Sequence, residues 1–377
     1  MISAADRTHL FTEYYFSKKL REIRQLKEQG RPIINLGIGS PDLPPAPEVI
    51  TALNSASQRS DVHGYQSYQG LPEFHQAVKD FYGNKYHCQI DSLDVLPLMG
   101  SKEGITHISL AYLNPGDKVL IPDLGYPTYT SVTRMVGSEP IYYPLSNGDY
   151  LPDWDQLANM DLSGVKLMWL NYPHMPTGAQ SNLSVFQKFV AFAQQHQILL
   201  CHDNPYSFIS NETPLSIFHV AGAAEVALEL NSLSKTFNMA GWRVGWVVGK
   251  KELVQPVLQI KSNMDSGMFY GIQKAAIEAL KLGDAWYAHL NETYHKRRIL
   301  AQKIFDRLNC SYAEGQVGMF LWAEAPKDGE EFIEEVLTLY DVYIAPGFIF
   351  GDRGKPFIRL SLCAPEEVLN EAYNRIK

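Results

Sequence analysis

The chain has 377 residues, 45% of them hydrophobic, and a formal net charge of -8. That length exceeds one core and predicts two domains in a globular protein; the acidic balance excludes nucleic acid or an anionic membrane as the partner, because both demand a basic face. Four cysteines (Cys88, Cys201, Cys310 and Cys363) lie too far apart for a zinc cluster or a disulfide framework, which points to a reducing, cytoplasmic setting.

The opening thirty residues mix charged and apolar side chains without a continuous apolar run. They read as an amphipathic helix ending at Gly30, not as a signal peptide or membrane anchor. The strand-like "PIINLGIG" follows, then the proline-rich "SPDLPPAP", a candidate crossing between domains. From Pro47 to about Gly283 short apolar runs alternate with helical segments: "DVLPLMG", "DKVLIP", "EPIYYP", "VKLMWLNYP", "QILLCHDNP", "EVALEL" and "RVGWVVG". This alternation predicts an α/β fold with a mostly parallel seven-stranded sheet flanked by helices. After a long helix from Asp284, the runs "GMFLWAEA", "VYIAPG" and "KPFIRLSLC" predict a smaller α+β domain built from both termini. The expected division is 43–285 for the large domain and 1–42 with 286–377 for the small one, with the N-terminal helix packed on the latter.

Ligands of open α/β sheets gather at the carboxyl ends of the strands. There Gly100, Ser101 and Lys102 open a helix whose free N–H groups suit a phosphate. "DLGYPTY" brings the ring of Tyr126, "NYPHMPTG" makes a proline-bracketed turn containing Asn171 and Met175, and "HDNPY" offers Asp203 and Tyr206. "SLSKTFNMAGWRVGW" delivers Ser232, Ser234, Lys235 and Arg243. A phosphate cradle, a stacking ring, a buried carboxylate and a lone lysine together describe a pyridoxal 5'-phosphate site.

The chain resembles the fold-type-I, class I/II aminotransferases over essentially its whole length. The pattern S-x-S-K followed by G-x-R-x-G carries most of the resemblance, supported by "NLGIGSPD", "YQSYQGLPEF", "GSKEGI", "DLGYPTY", "HDNPYSF" and "FIRLSLC". The resemblance implies that Lys235 forms a Schiff base with the cofactor and then shuttles the substrate's Cα proton. Asp203 would keep the pyridine nitrogen protonated, and Tyr206 would bond the phenolic oxygen. Ser232, Ser234 and Arg243, with the Ser101–Lys102 backbone, would grip the phosphate; Tyr126 would stack on the ring. Arg359 would bind the substrate α-carboxylate bidentately, and Gly37 would let the backbone approach the substrate. Tyr65 resembles the tyrosine that reaches the phosphate of a neighbouring subunit, which implies a homodimer with shared active sites.

One departure stands out. Where the family reads N-P-T-G this chain has "MPTG", so Met175 replaces the asparagine that bonds the phenolic oxygen. A thioether accepts weakly and donates nothing, which leaves Tyr206 as the main partner and implies a changed pH optimum. His174 beside it is assigned no catalytic role. "GIGSPD" lacks the third glycine of a dinucleotide fingerprint, and "MGSKEG" lacks P-loop spacing. His202 and Asp203 are adjacent in a strand, so they face opposite sides and do not share a metal.

Transamination between an amino acid and a 2-oxo acid is the main reading. Elimination by a C–S β-lyase on the same scaffold begins with the same proton abstraction and stays open, as does a non-catalytic binding protein. Aspartate-type, alanine-type, aromatic and diaminopimelate-type donors all remain open; side-chain choice falls to residues such as Tyr14, Tyr15 and Tyr270. "MDSGMFYGIQKAAIEAL" has no basic residue at its start, so no dicarboxylate clamp is evident, and "MFLWAEA" with the aromatic N-terminus hints at an apolar pocket.

Overall fold

The computed structural model describes residues 2–11, 13 and 15–377; Tyr14 lies outside the described residues. The strands are β1 (Ile34–Asn35), β2 (Asp94–Leu98), β3 (Lys118–Pro122), β4 (Glu139–Tyr143), β5 (Val165–Leu170), β6 (Leu199–Asp203), β7 (Ala227–Ser232), β8 (Gly245–Gly249), β9 (Phe320–Glu324), β10 (Val342–Tyr343), β11 (Ala345–Pro346) and β12 (Phe357–Ser361). The helices are α1 (Tyr15–Glu28), α2 (Pro47–Ser57), α3 (Pro72–Phe81), α4 (Ser101–Tyr112), α5 (Pro127–Met135), α6 (Trp154–Ala158), α7 (Leu183–His196), α8 (Lys251–Ser262), α9 (Tyr270–Leu280), α10 (Asp284–Arg307), α11 (Gly329–Tyr340) and α12 (Glu366–Arg375).

The main sheet has seven strands in the order β2-β8-β7-β6-β5-β3-β4. β8 runs antiparallel to both its neighbours, and every other pairing is parallel. The mostly parallel α/β sheet expected from the apolar runs is therefore present. Its central strands are buried on both faces, as parallel strands covered by helices must be. Alternation sends Leu167 and Trp169 of β5 to the face covered by α4 and α8, and Met168 and Leu170 to the opposite core.

The two ends of the chain meet in smaller sheets. β1 pairs in parallel with β10, and β11-β12-β9 form an antiparallel three-stranded sheet. The Leu36 carbonyl accepts from the Ser361 N–H at 2.7 Å, stitching the N-terminal segment onto β12.

The N-terminal helix is shorter than its sequence pattern suggests. It begins at Tyr15 and ends at Glu28; Asp6–Leu10 instead forms one 3-10 turn that buries no side chain. A segment with nothing to bury gains too little to extend the helix. α1 packs as expected on the C-terminal elements, where its buried Lys19 pairs with Glu334 of α11 and Tyr15 meets Phe348 edge-on.

Candidate active site

A cavity of about 500 Å³ opens at the carboxyl ends of β5, β6 and β7. Its polar end is lined by Ser101, Lys102, Ser232, Ser234 and Arg243, and its floor by Tyr126, Asn171, Asp203, Tyr206 and Lys235. Met175 and Arg359 line it too. Residues scattered from position 101 to position 359 are thus brought to one place.

The polar end is a backbone construction. Gly100 precedes the first turn of α4 at φ +85°, a conformation that glycine adopts without strain. A Cβ there would meet Arg243 Nη2 at 2.3 Å, so the glycine lets the arginine lie across the helix start. Gly245, the last residue of G-x-R-x-G, allows a second close approach: a Cβ would stand 2.9 Å from the Ser101 nitrogen. Arg243 donates to the carbonyls of Ala240 at 2.9 Å and Met99 at 3.0 Å. Ser232 Oγ lies 2.8 Å from Ser234 Oγ. The start of a twelve-residue helix, two hydroxyls and a guanidinium make a place suited to an anion.

Asp203 ends β6 and is buried. One carboxylate oxygen, Oδ2, accepts from Tyr129 at 2.8 Å; the other, Oδ1, has no hydrogen-bond partner. Burial pushes its pKa up to about 6, against the opposing effects of the Tyr129 hydroxyl, His202 and Ser101. A buried carboxylate with a free oxygen on a cavity is a place for a protonated nitrogen. Tyr129 was not singled out in the sequence, although it stands three residues after Tyr126. It lies flat on Trp169, 5.1 Å between ring centres, and so holds Asp203 from below.

Lys235 is half-buried, and Nζ donates to the Gly39 carbonyl at 2.9 Å. Burial lowers its proton affinity, reinforced by the neighbouring Arg359 and Arg243. The Tyr206 ring lies 6.0 Å from Nζ, and burial raises the proton affinity of its hydroxyl.

Arg359 is buried at the other end. Nη1 donates to Met175 Sδ at 3.3 Å and Nη2 to the Gly37 carbonyl at 3.1 Å. The guanidinium lies 3.8 Å from the ring centre of Phe320, 4.6 Å from Phe350 and 5.7 Å from Phe16. These three rings also line the cavity; Phe320 in "MFLWAEA" and Phe16 in the aromatic N-terminus belong to the stretches that hinted at an apolar pocket, and Phe350 carried no signal.

Gly37, Asn171 and Tyr65 are placed differently from the other expected residues. Gly37 does not line the cavity; Ile38 and Gly39 do. Its lack of a side chain is required by Tyr343, whose ring a Cβ would meet at 2.4 Å. Asn171 is committed within the protein, donating to the Asp203 carbonyl at 2.6 Å and accepting from the Met175 N–H at 2.8 Å. Tyr65 is 96% exposed and takes no part in this chain's cavity. Tyr15 lies against Phe348, and Tyr270 accepts from Arg59; neither lines the cavity.

His174 is locked in the turn, with Nδ1 2.8 Å from Thr177 Oγ1 and Nε2 3.0 Å from the Leu124 carbonyl. Burial lowers its pKa to about 4, so it is neutral. His202 faces away from Asp203, bonding Glu229 at 2.8 Å and the Tyr172 carbonyl at 2.9 Å, as strand alternation requires.

Residues 31–376 match the family described as aminotransferase class I and II. The chain belongs to this family. It is an aminotransferase, moving an amino group from an amino acid to a 2-oxo acid. It is 36% identical over 383 residues to the LL-diaminopimelate aminotransferase of Aquifex aeolicus, covering 100% of this chain and 99% of that one. The enzyme of the same name from Moorella thermoacetica is 38% identical over 371 residues, with 97% and 95% covered. Among solved structures, substrate-bound BacF from Bacillus subtilis superposes with a TM-score of 0.95 at 33% identity, covering 100% of this aminotransferase and 97% of BacF. A Thermus thermophilus aspartate aminotransferase variant, at TM-score 0.91 and 23% identity over 100% and 99% of the two chains, shares the fold. The elimination reaction that the residues alone left open is not favoured by these relatives. Among the described residues no helix is long and apolar enough to cross a membrane.

Proposed function

We propose that this aminotransferase works with pyridoxal 5'-phosphate held in the 500 Å³ cavity, with Lys235 as its covalent anchor. The observation that carries the reading is the buried, unpartnered Asp203 Oδ1 on the same cavity as Lys235 Nζ. When bound, the cofactor supplies an aldehyde for amino groups and a ring that takes up the electron pair left by a broken Cα–H bond. Asp203 keeps the ring nitrogen protonated. Ser101, Lys102, Ser232, Ser234 and Arg243, with Gly100 at the helix start, hold the phosphate. Tyr126 supports the ring face, and the Tyr206 hydroxyl serves the phenolic oxygen.

Arg359 receives the α-carboxylate of the amino donor and sets its Cα toward Lys235. Lys235 Nζ, its proton affinity lowered by burial, is the base that takes the Cα proton. For the donor we propose an α-amino acid with a largely apolar side chain, since Phe16, Ile38, Phe320 and Phe350 form the wall beside Arg359. Among the described lining residues Asp203 is the one acid, which leaves no carboxylate for a second ammonium group. LL-diaminopimelate, the compound in the relatives' names, is the competing donor.

A homodimer in which the exposed Tyr65 reaches the neighbour's phosphate, the division into 43–285 and 1–42 with 286–377, and a cytoplasmic setting belong to the same proposal. The free cysteines agree with the last of these.

Borohydride reduction of the cofactor-loaded protein followed by peptide mapping tests the anchor. The label is expected on Lys235, and a label elsewhere rejects the assignment. A donor series with 2-oxoglutarate as acceptor then compares phenylalanine and leucine with LL-diaminopimelate and aspartate; preference for either charged donor overturns the apolar reading.

A further inference from the structure

We infer that Met175 is a positioning residue for the carboxylate clamp: its thioether accepts from Arg359 Nη1 and fixes the guanidinium, while it makes no hydrogen bond to the cofactor. This rests on the role proposed above for Arg359.

The guanidinium carbon lies 3.8 Å from the centre of the Phe320 ring, and the attraction of a cation for a ring face holds it close to the plane of that face. A ring face does not set rotation within that plane. Hydrogen bonds do, and among the described residues Met175 Sδ at 3.3 Å and the Gly37 carbonyl at 3.1 Å serve as anchors. Both anchors are themselves held. The Gly37 N–H donates to Asn35 Oδ1 at 3.0 Å, and the Met175 N–H donates to Asn171 Oδ1 at 2.8 Å. Asn171 in turn donates to the Asp203 carbonyl. A continuous path of hydrogen bonds thus runs from the end of β6, where Asp203 stands, through the turn to the clamp. The bidentate fork of an arginine is useful to a carboxylate only when its orientation is set beforehand.

The chemistry of the side chain separates two duties. An asparagine at this position can accept from the arginine and donate to an oxygen of the cofactor. A thioether keeps the first ability and loses the second. The contact to Arg359 is therefore the duty that this chain has retained.

The test uses cofactor-loaded Met175→Leu and Met175→Asn beside the wild type. The probe is 3-phenylpropanoate, a carboxylate without an amino group, titrated by calorimetry; the second readout is the pH midpoint of the bound cofactor's visible absorption. Leucine nearly preserves volume but cannot accept, so Met175→Leu should bind the probe about three- to tenfold more weakly and keep the wild-type midpoint. Asparagine can both accept and donate, so Met175→Asn should bind the probe as the wild type does and shift the midpoint to lower pH. Unchanged probe binding in Met175→Leu overturns the inference, and so does a shifted midpoint in that variant, which would indicate general repacking. An unshifted midpoint in Met175→Asn overturns the argument that a thioether here keeps one of two duties, and weakened probe binding in that variant overturns the inference itself. Absence of probe binding to the wild type removes the clamp itself. Failure of the wild type to acquire the visible band on adding pyridoxal 5'-phosphate strikes the proposed function first, before any variant is compared.

Discussion

The two ends of the cavity are built in different ways. The anion end uses backbone: the start of α4, the turn after β7 and the close approaches allowed by Gly100 and Gly245, all hung on one sheet. The clamp end uses side chains from far-apart segments: Phe16 on α1, Gly37 after β1, Phe320 on β9, Phe350, and Arg359 on β12. On the proposed function, a cofactor phosphate would be the same in every cycle and would suit a fixed cradle, whereas a donor's side chain would vary and would suit a wall of replaceable rings. Lys235 stands between the ends, tied by Nζ to the Gly39 carbonyl on the clamp side while its own turn belongs to the anion side.

Removing that pivot should have the largest effect. Lys235→Ala is expected to lower the rate of amino transfer by roughly a thousandfold or more, because a general base of this kind is itself worth about that much. Single-turnover kinetics checks it, and a tenfold loss or less would mean that another group takes the proton.

Next comes Asp203, where the effect appears in stability and depends on pH. In the cofactor-free protein its pKa is raised from 3.8 to about 6. The folded state then holds a proton that the unfolded chain has released, so stability falls as pH rises from about 4 through 6 and stays low above it. The deficit is roughly 3 kcal/mol. Asp203→Asn lacks that deficit: its cofactor-free form should resist urea better than the wild type at pH 8 and equally at pH 4. With cofactor present the order should reverse, since the wild-type carboxylate then has its cation. Parallel pH profiles for the two cofactor-free proteins would refute the buried-anion argument.

Arg359→Lys tests the clamp end alone. An ammonium cannot make the two parallel bonds of a guanidinium, so KM for the donor should rise by about tenfold to a hundredfold with a smaller change in kcat. A fall in kcat with KM unchanged would move Arg359 out of substrate binding.

The same contrast explains what the sequence made legible. The seven-stranded sheet followed from apolar runs at regular intervals, and the anion end from contiguous motifs in which neighbours in sequence are neighbours in space. Asp203 ends one buried strand and Lys235 follows another, and both were placed for that reason. Phe16 and Phe320 were hinted at only as parts of aromatic stretches, and Phe350 not at all, because an aromatic residue in an amphipathic helix or a short strand serves a core equally well. Gly37 shows the converse limit: its glycine was legible, but the reason for it, the ring of Tyr343, comes from a segment more than three hundred residues away. Tyr129 was hidden by its neighbour Tyr126, since nothing local says which ring turns toward Asp203.

The smallest predicted effect sharpens the contrast most. α1 is held by the Lys19–Glu334 ion pair and by Ile23 in the core, so removing the half-buried Phe16 ring should leave the helix docked. What is lost is apolar surface facing the cavity, worth about 1 kcal/mol or a fivefold change if part of a phenyl ring contacts the donor. Phe16→Ala is therefore expected to lower kcat/KM for phenylalanine about fivefold and to leave alanine, whose methyl group cannot span to α1, within about twofold. Equal losses for both donors would show that the ring supports Arg359 instead of the substrate, since a clamp on the α-carboxylate would serve every donor alike. No loss for either would place the side-chain wall away from α1 altogether, and the variable part of the clamp end would then lie with Phe320 and Phe350.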